Sequence, residues 1–188
     1  MSLITISGSQ GQGKTTVLSS LAELGYNVIP HKTSRLILDD WGYTLNEVNK
    51  DLNLKKKFQD EILVRHVENN RIALESDEVF LSERSFADIF TYTIFTLGAF
   101  NEYSEWLDGY YQKCKQGQAM YDAVISLSGR TTDIDNDGVR SVNQHFTESI
   151  DIVLQFYLEQ FTGPDLVRVS TPDHAERVTE ICNYIDSI

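Results

Sequence analysis

The sequence predicts an α/β domain in which a parallel β-sheet is covered by helices on both faces. Three observations carry this. Short apolar runs that fit buried strands alternate along the chain with longer segments of helical periodicity. A glycine-rich turn sits directly between the first apolar run and the first helical segment. The 188 residues contain no internal repeat, low-complexity stretch or Pro/Gly/Ser linker, so one domain spanning 1–188 is expected. Strands interleaved with helices need crossover connections, and these place the strands in parallel.

The elements follow in order. Leu3–Ser7 reads as the first strand. Lys14–Leu24 reads as a helix stopped by Gly25, a residue suited to a C-cap. Tyr26–Pro30 is the second strand, and Thr33–Trp41 a short helix ended by Gly42. Thr44 and Glu47 have capping-box spacing and open another helical region. Lys55–Glu75 is long and periodic, with Phe58, Ile62, Val67, Ile72 and Leu74 on or near one face. Val79–Ser82 is the third strand, followed by helices over Phe86–Phe100 and Ser104–Gln116. Asp122–Leu127 is the fourth strand, and the Gly/Thr/Asp/Asn-rich stretch after it a loop. Val142–Phe161 is helical, and Leu166–Val169 is the fifth strand. Thr171 and Pro172 fit the N-cap and first position of a last helix.

Composition narrows the function classes. The apolar share of 41% and charged share of 23% are those of a globular chain. Sixteen Lys and Arg against 28 Asp and Glu give a net charge of −12, which argues against a protein that coats nucleic acid. Cys114 and Cys182 are too few for a disulfide framework or a four-cysteine zinc site, and are expected to be reduced and buried. No stretch reaches the ~18 apolar residues of a membrane span. Met1–Ile6 lacks the basic start of a signal peptide, so a soluble, cytoplasmic protein is expected.

The first turn carries the chemistry. Gly8-Ser9-Gln10-Gly11-Gln12-Gly13-Lys14-Thr15 matches G-x-x-x-x-G-K-[ST] without a gap, between a strand and a helix as the motif requires. Glycines allow the backbone to curl so that successive N–H groups face phosphate oxygens, and the helix N-terminus adds partial positive charge. Gly8, Gln10, Gly11, Gln12, Gly13, Lys14, Thr15 and Thr16 are therefore the expected nucleotide-binding residues. Lys14 reaches the β- and γ-phosphates, and Thr15 ligates Mg²⁺. No N-K-x-D guanine-reading signature is present, which favours ATP as the cofactor.

In such a sheet ligands bind beyond the carboxyl ends of the strands. After the third strand comes Glu83-Arg84-Ser85, with Asp88 and Tyr92 spaced to share one helix face. Glu83 is placed to hold the Mg²⁺ hydration shell or to take a proton from an attacking hydroxyl. Arg84 offers a bidentate clamp for phosphate or carboxylate, against the plainer alternative of a surface ion pair with Glu83. Tyr92 is equally at home in a core. After the second strand, His31, Lys32 and Arg35 face a bound acceptor or simply flank a helix start capped by Thr33 or Ser34. Lys32, Arg35, Asp88 and Tyr92 are the expected acceptor contacts.

The loop near 129–141 holds Arg130 and Arg140 and reads as a lid that brings cations to the transferring phosphate. Within it, Asp133 to Gly138 has some calcium-loop spacing, but the twelfth position is Gln144 where a bidentate Glu is needed. Lys55-Lys56-Lys57 is a basic run that fits a solvated helix face or, with Arg65, a polynucleotide groove. Trp41 and Trp106 fit core packing better than base stacking, and Gln59 is a candidate for a base edge.

Taken together, the phosphate loop, Lys32-Thr33-Ser34-Arg35, Glu83-Arg84-Ser85 and Asp137-Gly138-Val139-Arg140-Ser141 resemble small P-loop kinases. The chain is most similar to the nicotinamide riboside kinase-like group of compact ATPase (AAA) domains, many of them phage-encoded. Its Glu-Arg-Ser element also resembles that of deoxynucleoside kinases, where, as in thymidylate kinase-like enzymes, the arginine contacts phosphates near the reacting centre. The resemblance implies a P-loop three-layer sandwich with strand order 2-3-1-4-5. One departure is Lys32, which stands where the related group often has Glu and favours a nucleotide over a nucleoside.

The expected activity is a kinase that moves the ATP γ-phosphate to a small-molecule nucleotide acceptor, first a deoxynucleoside monophosphate. Lys14, Glu83, Arg84, Arg130 and Arg140 form the catalytic set, with Thr15 and Glu83 at Mg²⁺. The alternatives are a kinase of a hydroxymethylated pyrimidine (5-hydroxymethyluracil) within phage DNA, and a nucleotide-dependent switch or binding module with no acceptor. A homodimer is compatible with such a domain.

Overall fold

The computed structural model describes residues 2–29, 33–129 and 143–188. Its elements are β1 (Ser2–Ser7), α1 (Lys14–Glu23), β2 (Asn27–Val28), α2 (Thr33–Trp41), α3 (Leu45–Lys50), α4 (Leu52–Leu74) and β3 (Val79–Glu83). They continue with α5 (Phe86–Leu97), α6 (Ser104–Gly117), β4 (Ala123–Leu127), α7 (Gln144–Thr162), β5 (Leu166–Val169) and α8 (His174–Ile185). All strand pairs are parallel, and the order is β2-β3-β1-β4-β5, as the resemblance implied.

The two faces of the sheet follow from the period of two along each strand. Ile4, Ile6, Leu81, Ile125, Leu127 and Val169 point to one side and pack on Val17, Leu18 and Leu21 of α1 and Val178, Ile181 and Ile185 of α8. Each fully buried aliphatic side chain of this layer contributes about 1.5–3 kcal/mol. The opposite face presents Val124 and Leu166 to Ala87 of α5 and to Leu154 and Leu158 of α7. Leu3 and Ile29 meet Ala73 of α4 on that same side. Thr5, Ser7, Ser82 and Ser126 are buried polar residues of the strands.

Several elements depart from expectation. β2 contains only Asn27 and Val28. α4 begins at Leu52, three residues early, because Asp51 accepts from the Asn53 and Leu54 N–H groups. Ile72 and Leu74, expected on the apolar face, are exposed at 56% and 41%. The buried stripe of α4 is instead Phe58, Gln59, Leu63, His66, Asn70 and Ala73. Three of these are polar, and Gln59 accepts from Thr93 Oγ1 at 3.0 Å. α8 starts at His174, capped by Asp173 rather than Thr171. The Thr171 carbonyl instead accepts from Arg177, and its hydroxyl donates to Glu180, which holds Thr171 outside the helix. The Thr44–Glu47 capping box is present as expected.

β1 lies between β3 and β4, so chain order reverses at its two edges. The segments leaving the carboxyl ends of β1, β3 and β4 therefore meet at one rim of the sheet, the switch point where such folds bind ligands.

Candidate active site

The glycine-rich turn leaves β1 hard against β4. A Cβ at Gly8 would sit 2.9 Å from the Leu127 carbonyl oxygen, so a larger residue would push the strands apart. Gly13 ends the turn with φ 78°, left-handed geometry that glycine adopts without strain. α1 opens at Lys14 with no side chain capping its N-terminus, the arrangement that suits an anion there. Lys14 is buried, and its Nζ reaches back to donate to the carbonyls of Gly8 at 2.6 Å and Ser9 at 2.8 Å. The Gln12 amide nitrogen donates to Ser9 Oγ at 3.3 Å, stiffening the loop from within. Thr16 is exposed on the first turn of α1.

Thr15 is exposed and donates to the Glu83 carboxylate, 3.1 Å from Oε1 and 3.3 Å from Oε2. The start of α1 and the end of β3 thus present a hydroxyl and a carboxylate side by side. These are hard oxygen donors suited to Mg²⁺. Among the described residues no group of three or more His, Cys, Asp or Glu assembles into a site. A divalent ion at Thr15 and Glu83 would thus take its remaining ligands from phosphate and water, the usual condition of nucleotide-bound Mg²⁺.

Immediately after Glu83, Arg84 takes φ 74°, left-handed geometry that costs a non-glycine residue about 1–2 kcal/mol. The turn is held from several directions. The Arg84 N–H donates to Ile6 O at 2.9 Å, and its carbonyl accepts from Tyr121 Oη at 3.3 Å. The Tyr121 hydroxyl is itself engaged by His66 Nε2 at 2.7 Å and Asn70 Nδ2 at 2.9 Å, and burial pushes its pKa upward. The polar stripe of α4 therefore supports the backbone of the Glu-Arg-Ser turn.

Ser85 caps α5, with Asp88 completing a capping box. Asp88 is fully buried, and its Oδ2 accepts from Ser7 Oγ at 2.5 Å, Ser85 N at 2.8 Å and Ser85 Oγ at 2.8 Å. Its Oδ1 lies 3.8 Å from Arg84 Nη1. The Arg84 guanidinium sits over the Tyr92 ring, 4.9 Å from the centroid. Burial pulls its pKa down, but Tyr92, Asp88 and Glu83 outweigh that, and it stays charged. Arg84 Nη1, Asp88 Oδ1 and Tyr92 Oη are buried yet make no hydrogen bond of good geometry among the described residues. Each such group costs about 1–3 kcal/mol unless a partner reaches it. A cation, a carboxylate and a phenol are thus gathered beside the phosphate loop, matched chiefly to one another.

The structure thus brings Lys14, Thr15, Glu83, Arg84, Asp88 and Tyr92 into one rim. Arg35 is exposed on the first turn of α2. His31, Lys32, Arg130, Arg140 and the acidic stretch from Asp133 to Gly138 lie outside the described residues. Of the basic run, Lys56 pairs with Asp60 at 3.3 Å and stands over Trp106, while Arg65 is matched by Asp40 and Glu61, both at 2.7 Å. Those charges are already partnered. Trp106 donates to Asp60, and Trp41 packs edge-on against Phe58. Cys114 is buried, and Cys182 is partly so. Ser7, His66, Asn70, Tyr121 and Arg177 support the site and were not singled out in the sequence. Ser7, directly before the phosphate loop, had the one local cue, a hydroxyl at a strand end.

A family model described as AAA domain matches residues 3–180. No curated protein sequence matches the chain. Among solved structures, the deoxyadenosine kinase from M. mycoides, with products dCMP and a flexible dCDP bound, is 17% identical with a TM-score of 0.71, covering 99% of this chain and 100% of that one. The same enzyme with bound dATP gives 18% and 0.67. The NadR protein in complex with NR is 16% identical with a TM-score of 0.72, covering 97% of this chain and 51% of that one. At these identities the likeness speaks for the fold alone, a parallel sheet of order β2-β3-β1-β4-β5 between two layers of helices. The family match takes in nearly the whole chain, phosphate loop and Glu-Arg-Ser turn included, and on that ground the chain belongs to the AAA domain family.

Proposed function

We propose that this protein is an ATP-dependent kinase that transfers the γ-phosphate to a nucleotide-type acceptor, first a deoxynucleoside monophosphate. The observation that carries the reading is the Thr15–Glu83 contact, which joins the phosphate loop to the β3 carboxylate beside Arg84. The loop N–H groups and Lys14 receive the donor phosphates. Mg²⁺, held by Thr15 and Glu83, supplies charge neutralisation at the phosphates when bound. Glu83 is also assigned to take the proton of the acceptor hydroxyl. Arg84 is assigned to stabilise charge on the transferring group, and Arg130 and Arg140, which lie outside the described residues, to add to it. Lys32 and Arg35 are assigned to the acceptor phosphate and Tyr92 to its sugar side, while Asp88, fully buried, acts through Arg84.

A nucleoside acceptor is the second reading, favoured by Asp88. This buried carboxylate already faces the Arg84 guanidinium, so the pair carries little surplus positive charge for an additional phosphate. The likeness in fold to deoxyadenosine kinase supports the same alternative.

The test is transfer from γ-labelled ATP to a panel of deoxynucleosides, deoxynucleoside monophosphates and DNA containing 5-hydroxymethyluracil. Label on a monophosphate supports the first reading, and label on a nucleoside the second. Label on DNA alone, lost steeply with added salt, transfers the assignment to the DNA kinase.

A further inference from the structure

Arg177 on α8 is 1% exposed, the largest fully buried side chain in the protein's described residues. It sits far along the chain from the phosphate loop, yet its guanidinium binds that loop directly. Nη1 donates to Gln12 O at 2.7 Å. Nη2 donates to Ser128 O at 2.8 Å and Gly129 O at 3.3 Å, at the exit of β4. Nε donates to Thr171 O at 2.8 Å, between β5 and α8. All four acceptors are main-chain carbonyls, drawn from three separate segments. Among the described residues no carboxylate forms an ion pair with it. Burial accordingly lowers its pKa, opposed only by the charge of Glu180.

Among the described residues this buried charge is held by peptide dipoles, a costly way to fill space, and an aliphatic side chain of similar size would avoid the desolvation. What an aliphatic residue lacks is a rigid fork of directed donors. The consequence for the loop follows from peptide planarity. In a trans peptide the C=O and N–H point in opposite directions. Fixing the Gln12 carbonyl toward Arg177 fixes the Gly13 N–H away from it, at the turn into α1.

We propose that Arg177 is a positioning residue for the nucleoside polyphosphate, holding the Gln12–Gly13 peptide so that the Gly13 N–H is preset for a phosphate oxygen, and locking that peptide to the exits of β4 and β5. The proposal rests on nucleotide binding at the phosphate loop as described above. Arg177 touches neither nucleotide nor acceptor; it acts through the backbone of Gln12.

The experiment measures the ADP dissociation constant by calorimetry, well below the melting temperature, together with KM for ATP and for the acceptor found in the panel. Arg177→Met removes both charge and donors. It is expected to raise the ADP dissociation constant and ATP KM about tenfold or more, the worth of one charged hydrogen bond, with acceptor KM changed less than about twofold. Arg177→Lys keeps the charge but not the fork, and is expected to recover part of the loss. Arg168→Met, which removes an exposed arginine paired with Glu159, is the charge control and is expected to bind ADP as the parent does. A methionine variant with a lower melting temperature but unchanged ADP affinity overturns the proposal, leaving Arg177 as a packing residue. If that variant does not melt cooperatively, Arg177→Lys decides: a rise of about threefold or more supports the proposal, and parental affinity overturns it. A parent protein that binds ADP but phosphorylates nothing in the panel removes the kinase reading and leaves this comparison intact. A parent that binds no ADP removes both.

Discussion

Ser7 Oγ donates to the buried Asp88 carboxylate at 2.5 Å, tying the last residue of β1 to the first turn of α5. The bond links the two halves of the candidate site. Ser7 immediately precedes the phosphate loop, and Asp88 holds the Glu-Arg-Ser turn through Ser85 while facing Arg84.

The first expectation concerns that link. Asp88→Ala leaves the Ser7 and Ser85 donors without their acceptor and Arg84 without its buried counter-charge, a loss of about 3–5 kcal/mol. Asp88→Asn preserves shape and part of the bonding and is expected to cost less. Denaturant unfolding of both variants checks this. A double-mutant cycle of Asp88→Asn with Ser7→Ala is expected to show coupling of about 0.5–3 kcal/mol. An Asp88→Ala variant as stable as the parent would mean the carboxylate is not the hub described.

Glu83 separates chemistry from stability. It lies at the end of β3, half-buried, with Thr15 as its partner. Glu83→Gln keeps the size and a hydrogen-bond acceptor but removes the charge. Turnover is expected to fall about 10²–10⁴-fold, with little change in melting temperature. Titrating Mg²⁺ against activity adds a second reading: the variant is expected to need more metal for half-maximal rate.

Lys14 is expected to be indispensable for transfer. Lys14→Ala removes the ammonium that binds Gly8 O and Ser9 O, at a stability cost of about 1–3 kcal/mol, and the protein remains folded. Circular dichroism and the transfer assay on one preparation test both parts. Full turnover in that variant contradicts the mechanism.

How much of this was legible in the sequence depends on how local each feature is. The phosphate loop and Glu83-Arg84-Ser85 are contiguous, and each motif brings its own strand and helix, so their positions could be read directly. The stripe of α4 could not. Apolar periodicity pointed to Ile72 and Leu74, whereas the helix buries Gln59, His66 and Asn70. Those residues are buried because Thr93 and Tyr121, distant in sequence, satisfy them. Arg177 was invisible for the same reason, since its partners are carbonyls of residues brought together only by the sheet. The start of α8 turned on that arginine too, because its bond to the Thr171 carbonyl helps to displace the cap to Asp173.

An alkaline titration probes the opposite side of the sheet from α4. Tyr26 donates to Asp186 at 3.1 Å, and its pKa is pushed up to about 12 by burial and by Cys182 and Asp186. The folded value lies above the ordinary value of 10.0, so folding favours the protonated phenol. Its contribution to stability is complete below pH 10 and is lost as pH rises through about 12. Tyr26→Phe is expected to lose less stability across that window, as measured by urea unfolding at successive pH values.

In the proposed mechanism the phosphate loop and the Glu83-Arg84-Ser85 turn act as one phosphoryl-transfer site. The most direct measurement is the rate of ADP formation from MgATP, with and without the acceptor identified in the panel. The expected result is ADP release that depends on acceptor, matches phosphorylated product one for one, and disappears in Lys14→Ala. ADP formed at the same rate without any acceptor, with no phosphorylated product, would contradict the claim and assign the protein to nucleotide-dependent switches.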